Sequence, residues 1–145
     1  MIFLIHSIPI GDQSLNSNPE TEINDLFLRW VSAVQAEDLA GIRANHASDM
    51  LMYDVPLPFV SRGLDAYMET WKLFFPCQAR PIDFRFEETR ITAGKDVAFL
   101  TAIGHCGHME LGEKTDLKFR LTMGLRKDGD KWLIVHEHHS VPAEE

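Results

Sequence analysis

The chain has 145 residues, 45% of them hydrophobic and 25% charged, with a net charge of −8. That size and composition describe one soluble globular domain with its own core and exclude a disordered or fibrous chain. No block of Lys or Arg offsets the negative charge, which leaves nucleic acid binding without an electrostatic footprint.

The opening run Met1 to Ile10 is apolar but has neither a basic leader nor a small-residue cleavage site, and it is too short to span a bilayer. It reads as an extended arm, with Gly11 to Asn18 as its linker and no membrane partner expected. The two cysteines, Cys77 and Cys106, stand in no metal or redox spacing. They favour a reducing compartment, the cytoplasm, although a single bridge between them stays open.

Asn18-Pro19-Glu20 is a helix start, with a capping Asn, a Pro at the first helical position and Glu20 and Glu22 in the positive first turn. Ile23, Leu26, Phe27, Trp30, Val31 and Val34 then form one apolar stripe. A short second helix is expected from about Asp38, with Leu39 and Ile42 inward, fraying towards Ala47. Asp49 to Val55 reads as a strand halted by Pro56 and Pro58, and Phe59-Val60 as a short strand before Arg62-Gly63. The third helix is expected over Leu64 to Phe75, ended by Pro76, with Tyr67, Met68, Trp71, Phe74 and Phe75 at helical spacing.

From Pro81 onward the period changes to two. Ile82, Phe84 and Phe86 share a parity that Ile91 does not, so a bulge is expected near Glu87-Glu88. Ala93-Gly94-Lys95-Asp96 is a turn, and the strand from Val97 to His105 is apolar on both faces, with small residues on one face leaving room for close approach. The last stretch, Thr115 to Pro142, reads as a hairpin turning at Asp128-Gly129. Its second strand would place Trp132, Ile134, His136, His138 and Ser140 on one face and Leu133, Val135, Glu137, His139 and Val141 on the other. A two-residue loop would set Arg120 opposite Glu137 and Lys118 opposite His139. A three-residue loop with a bulge would set Arg120 opposite His136.

Helices followed by an antiparallel meander argue for an α+β fold with helices on one face of a curved sheet. The run Arg120-x-Thr122, Asp128-Gly129, Trp132-x-Ile134-x-His136-x-His138-x-Ser140-x-Pro142 resembles the closing hairpin of SnoaL-like, ketosteroid-isomerase-like proteins of the NTF2-like superfamily. It is also similar to the association domain of calcium/calmodulin-dependent kinases. The resemblance covers roughly residues 19–142 and implies a single NTF2-like (cystatin-like) cone, with three helices packed on a curved, mostly antiparallel sheet. It further implies a homodimer through the outer sheet face and a small-molecule pocket.

By that resemblance Asp54, at the end of the first strand, stands where ketosteroid-isomerase-like proteins place the carboxylate that moves a proton beside a carbonyl. The alternative is a turn Asp that accepts backbone hydrogen bonds ahead of the prolines. Those isomerases hold the oxyanion with a Tyr on the first helix and a protonated Asp on the sheet. Here Trp30 and Arg120 stand near those positions, and an Arg suits a carboxylate or an enolate. His139 matches a pocket cation of the kinase association domain, which brings Glu137 and Val135 in by alternation.

The expected site is therefore Asp54 with Arg120 and His139, walled by Trp30, Tyr53, Tyr67, Trp71, Thr101 and Glu137. The activity implied is isomerase, cyclase or dehydratase proton transfer, which needs no cofactor, on a small organic molecule that is anionic or bears a carbonyl. The competing readings are a non-catalytic ligand-binding or dimeric assembly module, an ion pair for Arg120, and a metal held by His136 and His138, with His105, Cys106, His108 and Glu110 adding further ligand types.

Overall fold

The computed structural model describes residues 18–144, so the arm expected over residues 1–18 lies outside the described residues except for Asn18. Asn18 caps the first helix, its Oδ1 accepting the Thr21 N–H at 2.8 Å. Helix α1 (Pro19–Gln35) buries Ile23, Leu26, Phe27, Trp30, Ala33 and Val34, the expected stripe, with Val31 at its margin. Asp38 caps α2 (Leu39–Arg43), its Oδ1 accepting the Gly41 N–H at 3.1 Å. Ile42 is fully buried, but Leu39, expected inward, is 39% exposed, because so short a helix turns only one side to the core.

The chain turns at Asn45 through a positive φ instead of fraying to Ala47. Strand β1 (His46–Tyr53) therefore starts ahead of Asp49 and ends before Asp54. Strand β2 is Ser61–Arg62, not Phe59-Val60. Helix α3 (Leu64–Phe74) passes into a 3-10 turn, Phe75–Cys77, which contains Pro76.

In β3 (Phe84–Ala93) the pairing slips between Glu87 and Arg90, and Glu88 has a φ of 52°. This is the bulge that the parity change required, and it lets Phe84, Phe86 and Ile91 all pack on the core. Strands β4 (Val97–Glu110), β5 (Glu113–Asp128) and β6 (Lys131–Ser140) complete the sheet. Its order is β2-β1-β6-β5-β4-β3. Among the described residues only the β1–β6 pair is parallel. Among the described residues the result is the expected α+β cone, three helices on one curved, unclosed sheet.

The inner face of β4 carries Ala98, Leu100, Ala102, Gly104 and Cys106, all buried. Gly104 is where the expected close approach occurs: a Cβ there would overlap the Phe119 ring and stand 2.7 Å from Phe86. Phe84, Phe86 and Phe119 meet over that gap with ring centroids 5.1–6.3 Å apart, and Trp30 and Trp71 pack on Phe84. Aromatic packing thus fills much of the cone.

The closing hairpin departs from both expected registers. Asp128 pairs with Lys131, so the loop is Gly129-Asp130, and Arg120 faces Ser140 instead of Glu137 or His136. Relative to a loop at Asp128-Gly129, the place of the loop shifts the register by two residues, and a bulge at Val135, where pairing passes from Leu125–Ile134 to Gly124–His136, shifts it by one more. Parity reverses there, so Trp132 and Ile134 lie on the buried face with Glu137, not opposite it.

Because Gly104 has no room for a side chain, Gly104→Val should destabilise the protein by about 1–3 kcal/mol through overpacking. Urea unfolding followed by tryptophan fluorescence would measure it; an unchanged midpoint would mean that the Phe119 and Phe86 rings move aside freely.

Candidate functional site

Glu137, turned inward by the bulge, is fully buried and stands at the centre of a polar network inside an aromatic core. Its Oε2 faces His46 Nε2 at 2.6 Å and accepts from the Tyr67 hydroxyl at 2.7 Å, while Oε1 lies 3.1 Å from His139 Nε2. Tyr67 in turn accepts the Trp30 indole N–H at 3.1 Å. The other His46 nitrogen, Nδ1, lies 3.2 Å from the Ala44 carbonyl, which can only accept, so Nδ1 carries a hydrogen. Strands β1 and β6 and helices α1 and α3 thus converge on one carboxylate.

Burial by itself would raise the pKa of Glu137, but the hydrogen bonds and charge of His139 and His46 pull it down to about 2. Burial likewise opposes a charge on His139, yet its hydrogen bond to Glu137, the attraction of that carboxylate and the charge of Asp54 raise its pKa above the ordinary imidazole value. Burial and the charge of Glu137 push the Tyr67 phenol well up, so it stays a donor. The centre is therefore an ionised carboxylate beside an imidazolium, with the His139 ring stacked 5.7 Å from that of Phe119.

Asp54 joins this centre to the surface. Having the same parity as Met50 and Met52, it directs Oδ1 to within 3.7 Å of His139 Nδ1, where the oxygen also accepts the Val55 N–H at 2.8 Å. The backbone hydrogen bond of the turn-Asp reading is therefore present, on the same oxygen that approaches His139. Its carboxylate is 23% exposed and borders an open cleft of about 570 Å³ formed by the loop after β1 together with Tyr53, Arg62 and His138.

The structure brings together Asp54, His139, Glu137, Tyr67 and Trp30, with Trp71 packed edge-on against Tyr67 at 6.2 Å. The buried Trp71 Nε1 has no hydrogen-bond partner among the described residues. Two expected members lie elsewhere, while Tyr53 borders the cleft from the outer side of the sheet. Arg120 is on the outer face of the sheet, donating through Nε to Ser140 Oγ at 3.0 Å. Thr101 faces outward opposite Thr122, and Tyr53 lies on that same outer side, edge-on to His136 and His138 at 4.7 and 5.4 Å.

His136 directs Nδ1 to the Leu51 carbonyl at 2.9 Å, and no group of three or more His, Cys, Asp or Glu able to hold a metal occurs among the described residues. Sequence reasoning missed His46. Its signal was a parity shared with Met50 and Met52, hidden by starting the strand at Asp49.

This architecture is that of the NTF2-like, cystatin-like proteins, as comparison with solved structures bears out. An NTF2-like protein of unknown function from Pseudomonas putida KT2440 is 29% identical, with 86% of this chain and 87% of that one covered and a TM-score of 0.78. A candidate ketosteroid isomerase from Shewanella frigidimarina NCIMB 400 is 25% identical over 80% of this chain and 92% of its own, with a TM-score of 0.66. A candidate calcium/calmodulin-dependent protein kinase II association domain from Xanthomonas campestris shares the fold at 18% identity, covering 88% and 91% of the two chains, with a TM-score of 0.70. Within that superfamily the chain belongs to the SnoaL-like domain family, which matches residues 23–144. No curated protein matches. Among the described residues no helix is long and apolar enough to cross a membrane.

The shifts at Glu137 and His139 give stability two edges. Glu137, depressed from 4.5 to about 2, contributes fully above 4.5 and loses its contribution as pH falls towards 2. His139, raised from 6.5, contributes fully below 6.5 and loses its contribution as pH climbs through its folded value. Glu137→Gln should cost roughly 3–5 kcal/mol at neutral pH, since it strands buried His139 without its anion. It should also flatten the acid edge. Chemical denaturation at a series of pH values checks both; a variant that kept the wild-type acid slope would show that Glu137 does not set it.

Proposed function

We propose that this SnoaL-like protein moves a proton on a small organic molecule held at the Asp54 cleft, as a cofactor-free isomerase, cyclase or dehydratase. The observation that carries the reading is Asp54 itself, a carboxylate placed between an open cleft and the buried His139 ring. Its Oδ1 is occupied by the Val55 N–H and His139, while Oδ2 makes no hydrogen bond among the described residues.

In this reading Asp54 takes the proton from carbon beside a carbonyl, or from the position that expels a hydroxyl. His139, held charged by Glu137, stabilises the negative charge that develops. Glu137 does not act on the substrate, because His46, Tyr67 and His139 occupy both of its oxygens. Arg120, held by Ser140, is not among the residues that line this cleft and takes no part in the reading. The likeness to one candidate ketosteroid isomerase supports the reaction class.

A panel of cyclic ketones and β-hydroxy carbonyl compounds in D2O, followed by NMR for deuterium at carbon and for loss of water, tests the reading. Asp54→Asn should slow the reaction found by at least ~100-fold, the range of a positioned acid or base, without changing the circular dichroism. An unchanged rate would refute the assignment.

A separate feature favours a second role, assembly. On the outer sheet face Val97 is 64% and Phe99 49% exposed, beside the half-buried Ile103. Such a patch suits a second copy of the chain. Light scattering should give the mass of two chains, and Phe99→Lys should shift it towards one; a single-chain mass for the wild type would exclude this role.

A further inference from the structure

We propose that the cleft beside Asp54 binds a small carboxylic acid with an apolar body, its carboxylate on Arg62 and its body on Leu57 and Phe59. This names the substrate class for the site described above and rests on that cleft being the substrate's seat. It does not depend on catalysis.

Arg62 is the first observation. In β2 it pairs with Leu51, which in turn pairs with His136, so the guanidinium is placed on the side of the sheet where Tyr53 pairs with His138. Arg43, Arg80, Arg85 and Arg126 each have a carboxylate within salt-bridge distance. Arg62, like Arg29, Arg90 and Arg120, has none among the described residues, and it lines the cleft that Asp54 also lines. In a chain of net charge −8, an exposed guanidinium left without an anion is available to bind one. His138, exposed on the same wall, adds a second nitrogen donor.

The loop after β1 is the second observation. Leu57 is 85% and Phe59 93% exposed, and Val55 is 48% exposed. Pro56 and Pro58 stiffen the backbone between them, so these side chains are presented on a preformed wall and not on a collapsing loop. Large apolar side chains clustered at a cleft mark a binding surface.

At about 570 Å³ the cleft is the size of small-ligand sites, on the order of 300–1,000 Å³. A neutral hydrocarbon would leave Arg62 unanswered, and a multiply charged phosphate would meet Asp54 and the negative charge of the whole chain. One carboxylate on an apolar body satisfies both walls.

Isothermal titration of the full chain with phenylacetate and hexanoate, each against its primary amide, tests this. The acids should bind at least about tenfold more tightly than the amides, as expected for a charge-assisted pair. Arg62→Ala should erase that difference at an unchanged melting temperature, and Phe59→Ser should weaken the acids while keeping their preference over the amides. Equal binding of acid and amide, an unaffected Arg62→Ala, or no binding of either acid at millimolar concentration would overturn the proposal. Asp54→Asn separates the two readings: acids that bind it as they bind the wild type, while the wild type moves no proton on the panel of ketones and β-hydroxy carbonyl compounds, support the ligand assignment and overturn the catalytic one.

Discussion

A carboxylate with no exposure to water is the constraint on which the rest of this structure depends. Taking an ionised group out of water costs several kcal/mol unless the surrounding groups compensate it. Glu137 is compensated by His46, His139 and Tyr67, which come from both edges of the β1–β6 pair and from α3. Trp30 extends the network to α1 through the Tyr67 hydroxyl. None of these groups can be displaced without leaving a buried polar atom unpaired, so the network sets how the helices seat on the sheet. The aromatic rings around it supply most of the buried apolar surface, but their packing is less directional.

The bulge at Val135 puts this carboxylate in place. Strict alternation from Trp132 and Ile134 would have kept His136 and His138 inward and turned Glu137 and His139 away. One extra residue reverses the faces, so the buried end of β6 is apolar up to Ile134 and ionic from Glu137 onward. The bulge in β3 has a simpler effect, keeping Ile91 on the core after Phe84 and Phe86. Both let a sheet bend round its helices without losing its inner face.

Relatives of this fold are diverse in their described roles, from candidate isomerase to candidate association domain. Here Trp30, Trp71, Phe84, Phe86 and Phe119 occupy much of the cone. The ionised centre reaches the surface through Asp54, where the chain leaves β1 and the proline-braced loop begins. The chemistry proposed for the chain therefore lies at the rim.

Local rules were enough for much of the molecule. The cap and acidic first turn of α1, its stripe, the helical spacing of Tyr67 and Trp71, the β3 bulge and the close approach on β4 each follow from neighbours a few residues apart, and the resemblance named the fold and singled out Asp54. What the sequence left open was decided across the sheet. The hairpin register, the outward place of Arg120 and Thr101, the start of β1 at His46 and the pairing of His46 with Glu137 depend on contacts between residues far apart in the chain. Periodicity could not report them, because a single bulged residue reverses every later face. Only burial of Glu137 against β1 and α3 selects where that residue goes.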